Sequence, residues 1–216
     1  MKYGLVIFDM DGTLLDTLDD LAAAVNHALG LRGFPPRSRD EVRTFIGNGV
    51  TNLIRRAVPQ GTDEDTIRHA LADFKDYYLS NVNVHTHPFE GILALLDGLK
   101  AAGIRAAVNS NKVDAATRAL CAAQFGDRLD MALGEREGIP KKPAPDGVEL
   151  ILRELGIEKG RALYVGDGET DVMTAQNAGI DCAWVSWGYR RREELGDLAI
   201  PHAFDTVKAL QGYILS

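Results

Sequence analysis

A chain of 216 residues has room for one large domain or a domain with a modest insertion, and 45% hydrophobic with 25% charged residues excludes a disordered chain. Its 31 acidic against 24 basic side chains, a formal charge of −7, argue against nucleic acid as the principal partner. Cys121 and Cys182 lie far apart with no CxxC spacing, which excludes a disulfide framework and fits a reducing cytoplasm. The opening KYGLVIFD is too short and too abruptly acidic for a signal peptide, and no run approaches the roughly 18–20 apolar residues of a membrane helix.

The first apolar run, YGLVIF (3–8), reads as a buried strand and ends in Asp9, Asp11 and Gly12. From 16 to about 85 the pattern is helical: LDDLAAAVNHALGLRG, RDEVRTFIG, NGVTNLIRRAV and DEDTIRHALADFKDYYLSNV, with no convincing strand. This is read as a small helical domain inserted after the first strand, with NVHTHPFEG (83–91) as the returning hinge. Strands then alternate with helices: helix 91–103, strand 104–110, helix 114–124, strand 128–134, helix 146–156, strand 162–167, helix 171–179 and strand 182–187. Gly103, Gly156 and Gly179 stand where helix-terminating glycines belong. The fold expected is α/β, a Rossmann-like parallel sheet with helices on both faces formed by 1–15 and 86–216, carrying an all-helical cap at 16–85.

A parallel sheet presents ligands at the carboxyl ends of its strands. Asp9 and Asp11 follow the first strand and Ser110, Asn111 and Lys112 the second; Lys141 and Lys142 lie after the third, Asp167 and Asp171 after the fourth. Four such clusters at one edge suit phosphoryl transfer through a covalent aspartyl phosphate. Asp9 is the expected nucleophile. Asp11, two residues on, is positioned to protonate the leaving oxygen and then activate water. Asp9 and Asp167 would supply the carboxylates of a Mg²⁺ site, while Ser110 and a lysine hold the phosphate oxygens. Gly12 lets the chain turn sharply beside the phosphate. A calcium loop fails on spacing, since that pattern needs glycine sixth and Gly12 is fourth counting from Asp9. A solvated turn explains the aspartates alone but not the ordered clusters after them. Asp171 either joins the metal site or caps the helix that follows.

DMDGTLLDT, the serine of NSNK, the lysine of KPAPD and GDGETD together resemble the four motifs of the haloacid dehalogenase superfamily. The resemblance spans nearly the whole chain. It implies Lys142, rather than Lys141, as the phosphate-binding lysine, a mobile helical cap, and Asp11 contributing its backbone carbonyl to the Mg²⁺ site. An aspartate at position 11 also implies a phosphatase and not a dehalogenase. TFIGNGVTNLI, DTLDDLAAAVNHAL and SWGYRRREEL are similar to phosphoglycolate phosphatases, so a small phosphorylated metabolite, 2-phosphoglycolate first, is the expected substrate. Asn109, at a strand end expected to be apolar or small, departs from that subgroup. Pyrophosphate and sugar phosphates, a phosphomutase, and a phospho-receiver domain are the alternatives.

Amides around Gly47, Asn48 and Gly49 at a helix start are candidates for holding a substrate carboxylate, and Asn111 and Lys112 for orienting neighbours or substrate. His85 and His87 read as a polar hinge, YRRREE (189–194) as a solvated helix start, and Arg43, Arg55 and Arg56 as surface residues of the cap. A monomer or homodimer is expected, with neither membrane nor nucleic-acid partners.

Overall fold

Six parallel strands form the centre of the computed structural model, which describes residues 2–216. Strand β1 (Leu5–Phe8) is completely buried and alternates its side chains, Leu5 and Ile7 toward one apolar cluster, Val6 and Phe8 toward the other. A short ribbon follows, β2 (Leu15–Asp16) paired antiparallel with β3 (His87–Pro88). Between its strands lie α1 (Leu18–Gly30), α2 (Arg39–Phe45), α3 (Val50–Ala57) and α4 (Glu64–Ser80). Then come α5 (Ile92–Ala101), β4 (Arg105–Val113), α6 (Asp114–Phe125), β5 (Met131–Glu135) and α7 (Asp146–Leu155). The chain ends with β6 (Ala162–Gly166), α8 (Glu169–Ala178), β7 (Asp181–Val185), β8 (His202–Phe204) and α9 (Val207–Leu215). The sheet order is β5-β4-β1-β6-β7-β8, so β1 lies inside the sheet between β4 and β6.

Helices α5, α6 and α9 cover one face through Leu95, Leu99, Leu120, Phe125 and Leu210; α7 and α8 cover the other through Val148, Ile151, Val172 and Ala175. This is the expected doubly covered α/β sheet, extended by two elements that the pattern did not announce. Strand β8 has three residues and none is buried, so it carries no apolar run; α9 follows it, capped by Thr206. The ribbon β2–β3 was also unforeseen, because two-residue strands have no period to read.

Helices α1 to α4 pack around an apolar cluster of their own, with Leu21, Val25, Leu53, Ile54, Ile67 and Phe74 at its centre. This is the helical cap inserted after the first strand. Ser38 and Glu41 form a capping box at the start of α2. The break between α2 and α3 is made by Gly47 and Gly49, both in the left-handed region at φ 114° and 80°.

Where the chain returns to the sheet, one carboxylate gathers the backbone. Asp20, only 3% exposed, accepts the N–H groups of Val84, His85 and Thr86 at 2.9–3.1 Å and the Thr86 hydroxyl at 2.8 Å. Among the described residues no other acceptor is bonded to those three amides, and Thr86 is buried, so removing the carboxylate leaves the Thr86 N–H and hydroxyl without a partner in a site closed to water. Asp20→Ala is expected to lower unfolding stability by about 3 kcal/mol, and Asp20→Asn, which keeps one acceptor oxygen, by less. Urea denaturation of the two variants checks the order and the size.

Candidate active site

The carboxyl ends of β1, β4 and β6 open into a cleft beneath the cap. Its floor carries Asp9, Asp11, Ser110, Asn111, Lys112, Lys142, Asp167 and Asp171; its roof is Leu21, Ile46, Gly47, Gly49, Val50 and Leu53. Charge lies mostly below and apolar surface above, with Glu169, Tyr189 and Arg190 completing the wall. Of the residues expected from sequence, Gly12 and Asn48 are not among those lining it.

Lys142 organises the floor. Its ammonium, almost wholly buried, lies 2.9 Å from Asp9 Oδ1 and 2.7 Å from Asp171 Oδ1. Burial disfavours the cation, yet Asp171 and Asp9 outweigh it and hold Lys142 well above the ordinary lysine value. Asn111 fixes the Lys142 backbone from both sides: Oδ1 accepts Lys142 N–H at 2.9 Å and Nδ2 donates to Lys142 O at 3.1 Å. The same amide donates to Gly47 O of the cap at 3.2 Å. The Asn111 side chain is thereby committed to protein partners, and of the two roles expected for it, orienting its neighbours is the one this geometry favours. Ser110, buried at the end of the same strand, accepts the Lys112 N–H at 3.2 Å.

Asp9 Oδ1 also accepts the Met10 N–H at 2.7 Å. Asp167 is held by Thr13 Oγ1 at 3.2 Å and by the Tyr189 N–H at 2.6 Å. Asp171 does two things at once, since Oδ2 accepts the Gly168 N–H at 3.0 Å at the start of α8 while Oδ1 faces Lys142. Glycine makes this crowding possible. A Cβ on Gly12, whose φ is 87°, would lie 2.6 Å from Asp167 Oδ2, one on Gly166 would overlap Asp171, and one on Gly188 would overlap Asp167 and the Gly12 carbonyl. Gly12 therefore shapes the acidic cluster from behind and does not face the cleft.

Asp11 is turned toward the ribbon. Its carboxylate takes both oxygens to the Lys112 ammonium, at 3.0 and 3.1 Å, and accepts the Thr17 hydroxyl at 2.7 Å. Lys112 is buried; its charge also faces the Tyr78 ring of α4 at 4.6 Å.

In the cap, the Asn48 side chain accepts from Thr170 Oγ1 at 3.4 Å, and Thr170, unlike Asn48, lines the cleft. Arg43 and residues 189–190 correct the surface reading. Tyr189 is 5% exposed and Arg190 9%, and the Arg43 guanidinium contacts Tyr189 O and Glu194. The rule that found the other clusters would have found these, because WGYR follows the fifth strand of the pattern directly. Arg55 pairs with exposed Glu64 as a surface residue, and Lys141 pairs with Glu135 at 2.6 Å beside Gly49. His85 and His87 lie exposed at the hinge.

A divalent cation fits the donor set. One oxygen each from Asp9, Asp167 and Asp171 lies within 4.8 Å of the others, all three buried. Burial, countered by Lys142 and reinforced by Asp171 and Asp167, pushes Asp9 up to about 8. Burial and Asp171, against the Tyr189 N–H, push Asp167 up to about 7. Asp9 and Asp167, two neighbouring carboxyls that resist ionising, beside a further hard oxygen donor on Asp171, are the electrostatic signature of a cation site.

Comparison with known proteins agrees with this geometry. The family model described as haloacid dehalogenase-like hydrolase matches residues 6–185. The chain is similar to the phosphoglycolate phosphatase of Psychrobacter arcticus, 34% identical over all of this chain and 97% of that one. It is also similar to phosphoglycolate phosphatase 1 of Pseudomonas aeruginosa, 33% identical over 95% and 78% of the two chains. A crystal structure from Lactobacillus delbrueckii subsp. bulgaricus, provisionally assigned as a phosphoglycolate phosphatase, superposes with a TM-score of 0.95 at 34% identity over the full length of both chains. CbbY from Rhodobacter sphaeroides, solved with phosphate, superposes at 0.74 with 27% identity and 94% of each chain covered. A variant of CbbY was solved with xylulose-1,5-bisphosphate.

The raised carboxyls make a prediction for the metal-free protein. A carboxyl whose folded value exceeds its ordinary 3.8 stabilises the fold fully below that value and loses the contribution as pH rises through about 7 to 8. The thermal midpoint without metal is expected to fall between about pH 5.5 and 8.5, and Mg²⁺ to raise it most at the upper end. Equal Mg²⁺ shifts at both pH values, read by calorimetry, would rule these carboxylates out as the origin.

Proposed function

The chain belongs to the haloacid dehalogenase-like hydrolases, and we propose that it hydrolyses a small phosphate monoester, 2-phosphoglycolate, through an aspartyl phosphate on Asp9. The phosphoric monoester hydrolase class follows from its relatives. The observation that carries the mechanism is the buried Lys142 ammonium shared by Asp9 and Asp171 at the floor of a capped cleft.

Asp9 Oδ1 is engaged by Lys142 and the Met10 N–H, and among the described residues no hydrogen bond is directed at Oδ2. Oδ2 is then the oxygen that attacks phosphorus. Lys142 and the Ser110 hydroxyl hold the non-bridging oxygens as charge spreads over them. Asp11 gives a proton to the leaving alkoxide, then takes one from the water that attacks the aspartyl phosphate, releasing phosphate and restoring Asp9. Lys112 and Thr17 orient Asp11, and Asn111 and Asp171 keep Lys142 in place. Mg²⁺ held by Asp9, Asp167 and the backbone carbonyl of Asp11 would offset the charge of the phosphate dianion.

Residues 16–85 act as the cap that moves on a core of 1–15 and 86–216, excluding bulk water when closed. The roof side chains Leu21, Ile46, Val50 and Leu53 offer no charge, which favours a short leaving group. Unpaired amides at the start of α3, next to Gly47 and Gly49, are suited to the carboxylate of phosphoglycolate. The likeness to CbbY supports a second reading, a sugar phosphate as substrate. Two buried free cysteines support a cytoplasmic setting. Every residue of the mechanism comes from one chain, so either a monomer or a homodimer serves.

Asp9→Asn is expected to lower turnover by a factor of about 10³ or more while the circular dichroism and thermal midpoint remain those of a folded protein. Near-normal turnover in that variant would refute the covalent mechanism. A panel of phosphoglycolate, pyrophosphate and sugar phosphates, followed by phosphate release with and without Mg²⁺, is expected to give the highest kcat/KM for phosphoglycolate and none without metal.

A further inference from the structure

The segment after β7 joins three parts of the molecule. Trp187 Nε1 donates to Thr13 O at 3.1 Å in the loop behind Asp9. Tyr189 gives its N–H to Asp167, and its hydroxyl accepts the Thr17 N–H at 2.7 Å, where the chain enters the cap. Arg190 then crosses to the cap itself. Its guanidinium donates to Arg43 O at 3.1 Å and Ile46 O at 2.5 Å, and pairs with Glu169 of the core at 3.1 Å. In return the Arg43 guanidinium reaches back to Tyr189 O and Glu194 of the core. Each arginine thus binds backbone at or beside the other.

The carbonyls taken by Arg190 are at the carboxyl end of α2, where helix carbonyls have no internal partner and the macrodipole favours a cation. Immediately beyond them, Ile46, Gly47 and Gly49 form the roof of the cleft. Gly47 and Gly49 carry no side chain to brace that roof, so its position relative to Asp9 is set by what holds its two ends. One end is held by Arg190. The core reaches the loop of the roof itself through two longer single bonds, from Asn111 to Gly47 O and from Thr170 to Asn48, at 3.2 and 3.4 Å.

We propose that Arg190 and Arg43 are specificity-determining positioning residues, a reciprocal clasp that fixes the height of the Ile46–Gly49 roof and admits phosphate esters with short leaving groups while disfavouring bulky ones. The proposal rests on the phosphatase reading for its kinetic arm only. A lysine at 190 would keep the charge but lose the fork that reaches Glu169 and two carbonyls together.

The test uses the full chain with Arg190→Leu, Arg190→Lys and Arg43→Leu, and with Arg55→Leu as a control on the exposed side of the cap. Kinetic constants are measured with Mg²⁺ on 2-phosphoglycolate and on p-nitrophenyl phosphate. Arg190→Leu is expected to raise KM for phosphoglycolate at least about tenfold with kcat within about threefold, while kcat/KM for the aryl ester holds or rises. Arg43→Leu moves the ratio the same way, Arg190→Lys restores it only in part, and Arg55→Leu leaves it unchanged. A parallel loss on both esters, or an unchanged ratio, overturns the proposal. Hydrogen exchange without substrate supplies the second arm: peptides covering 43–53 exchange faster in Arg190→Leu, those covering 105–113 do not. Unchanged exchange at 43–53 overturns the clasp whatever the substrate. A wild-type protein inactive on both esters would instead strike the phosphatase reading and leave exchange to decide the clasp.

Discussion

A lysine ammonium held out of water between two carboxylates is the constraint from which the catalytic edge is built. Such a cluster is costly to desolvate, and removing one member of a buried pair costs about 3–5 kcal/mol because the survivor is stranded. The chain meets that cost with geometry. Asn111 locks the backbone of Lys142, the start of α8 fixes Asp171, and the β1 terminus fixes Asp9. Glycines at 12, 166 and 188 let three backbone segments approach carboxylates more closely than any side chain would permit. The cluster is therefore rigid before substrate arrives, which is the condition for electrostatic catalysis.

Cap and core relate to each other differently. Each has its own apolar centre; among the described residues the core contributes Ala116 and Tyr189 to the buried cap cluster, with Phe89 and Val113 packed against it. The seam also carries hydrogen bonds and ion pairs of Arg190, Arg43, Asn111 and Thr170, and the Lys112 charge over the Tyr78 ring. Water can replace bonds of this kind at modest net cost, whereas separating two apolar surfaces costs in proportion to the area exposed. Each body therefore keeps its own apolar packing independently of the polar bonds between them.

Much of this was legible in the amino-acid order because burial and period coincide there. Leu5–Phe8 is apolar without interruption because both faces of its strand are covered, and the rule that ligands collect at strand ends then gathered Asp9, Ser110, Lys142 and Asp167 correctly at one edge. Tyr189 and Arg190 follow β7, a strand beyond those four, and their charge-rich surroundings read as solvated although their burial is imposed by the cap above them. Charge density misled there: a run of arginines and glutamates resembles an exposed helix start until another domain covers part of it. Asn48 and Asn111 were legible as polar residues near the site but not in their direction, since side-chain orientation depends on a seam between segments distant in sequence. Strand β8 was invisible for the opposite reason, being an edge strand of three residues with nothing buried.

The register of β1 has a consequence for how the chain acquires its shape. Leu5 pairs with Arg105 on one side and with Ala162 on the other, so β1 depends on partners that lie far along the chain. Loop closure over such distances is slow compared with the formation of local helices. The cap needs only residues close to one another in sequence and can form while β1 is still waiting, an apolar ribbon with both edges unpaired. Until those partners arrive, this apolar segment with two open edges is prone to aggregate, and the polar turn of Asp9 and Asp11 at its end is the nearest brake on that tendency.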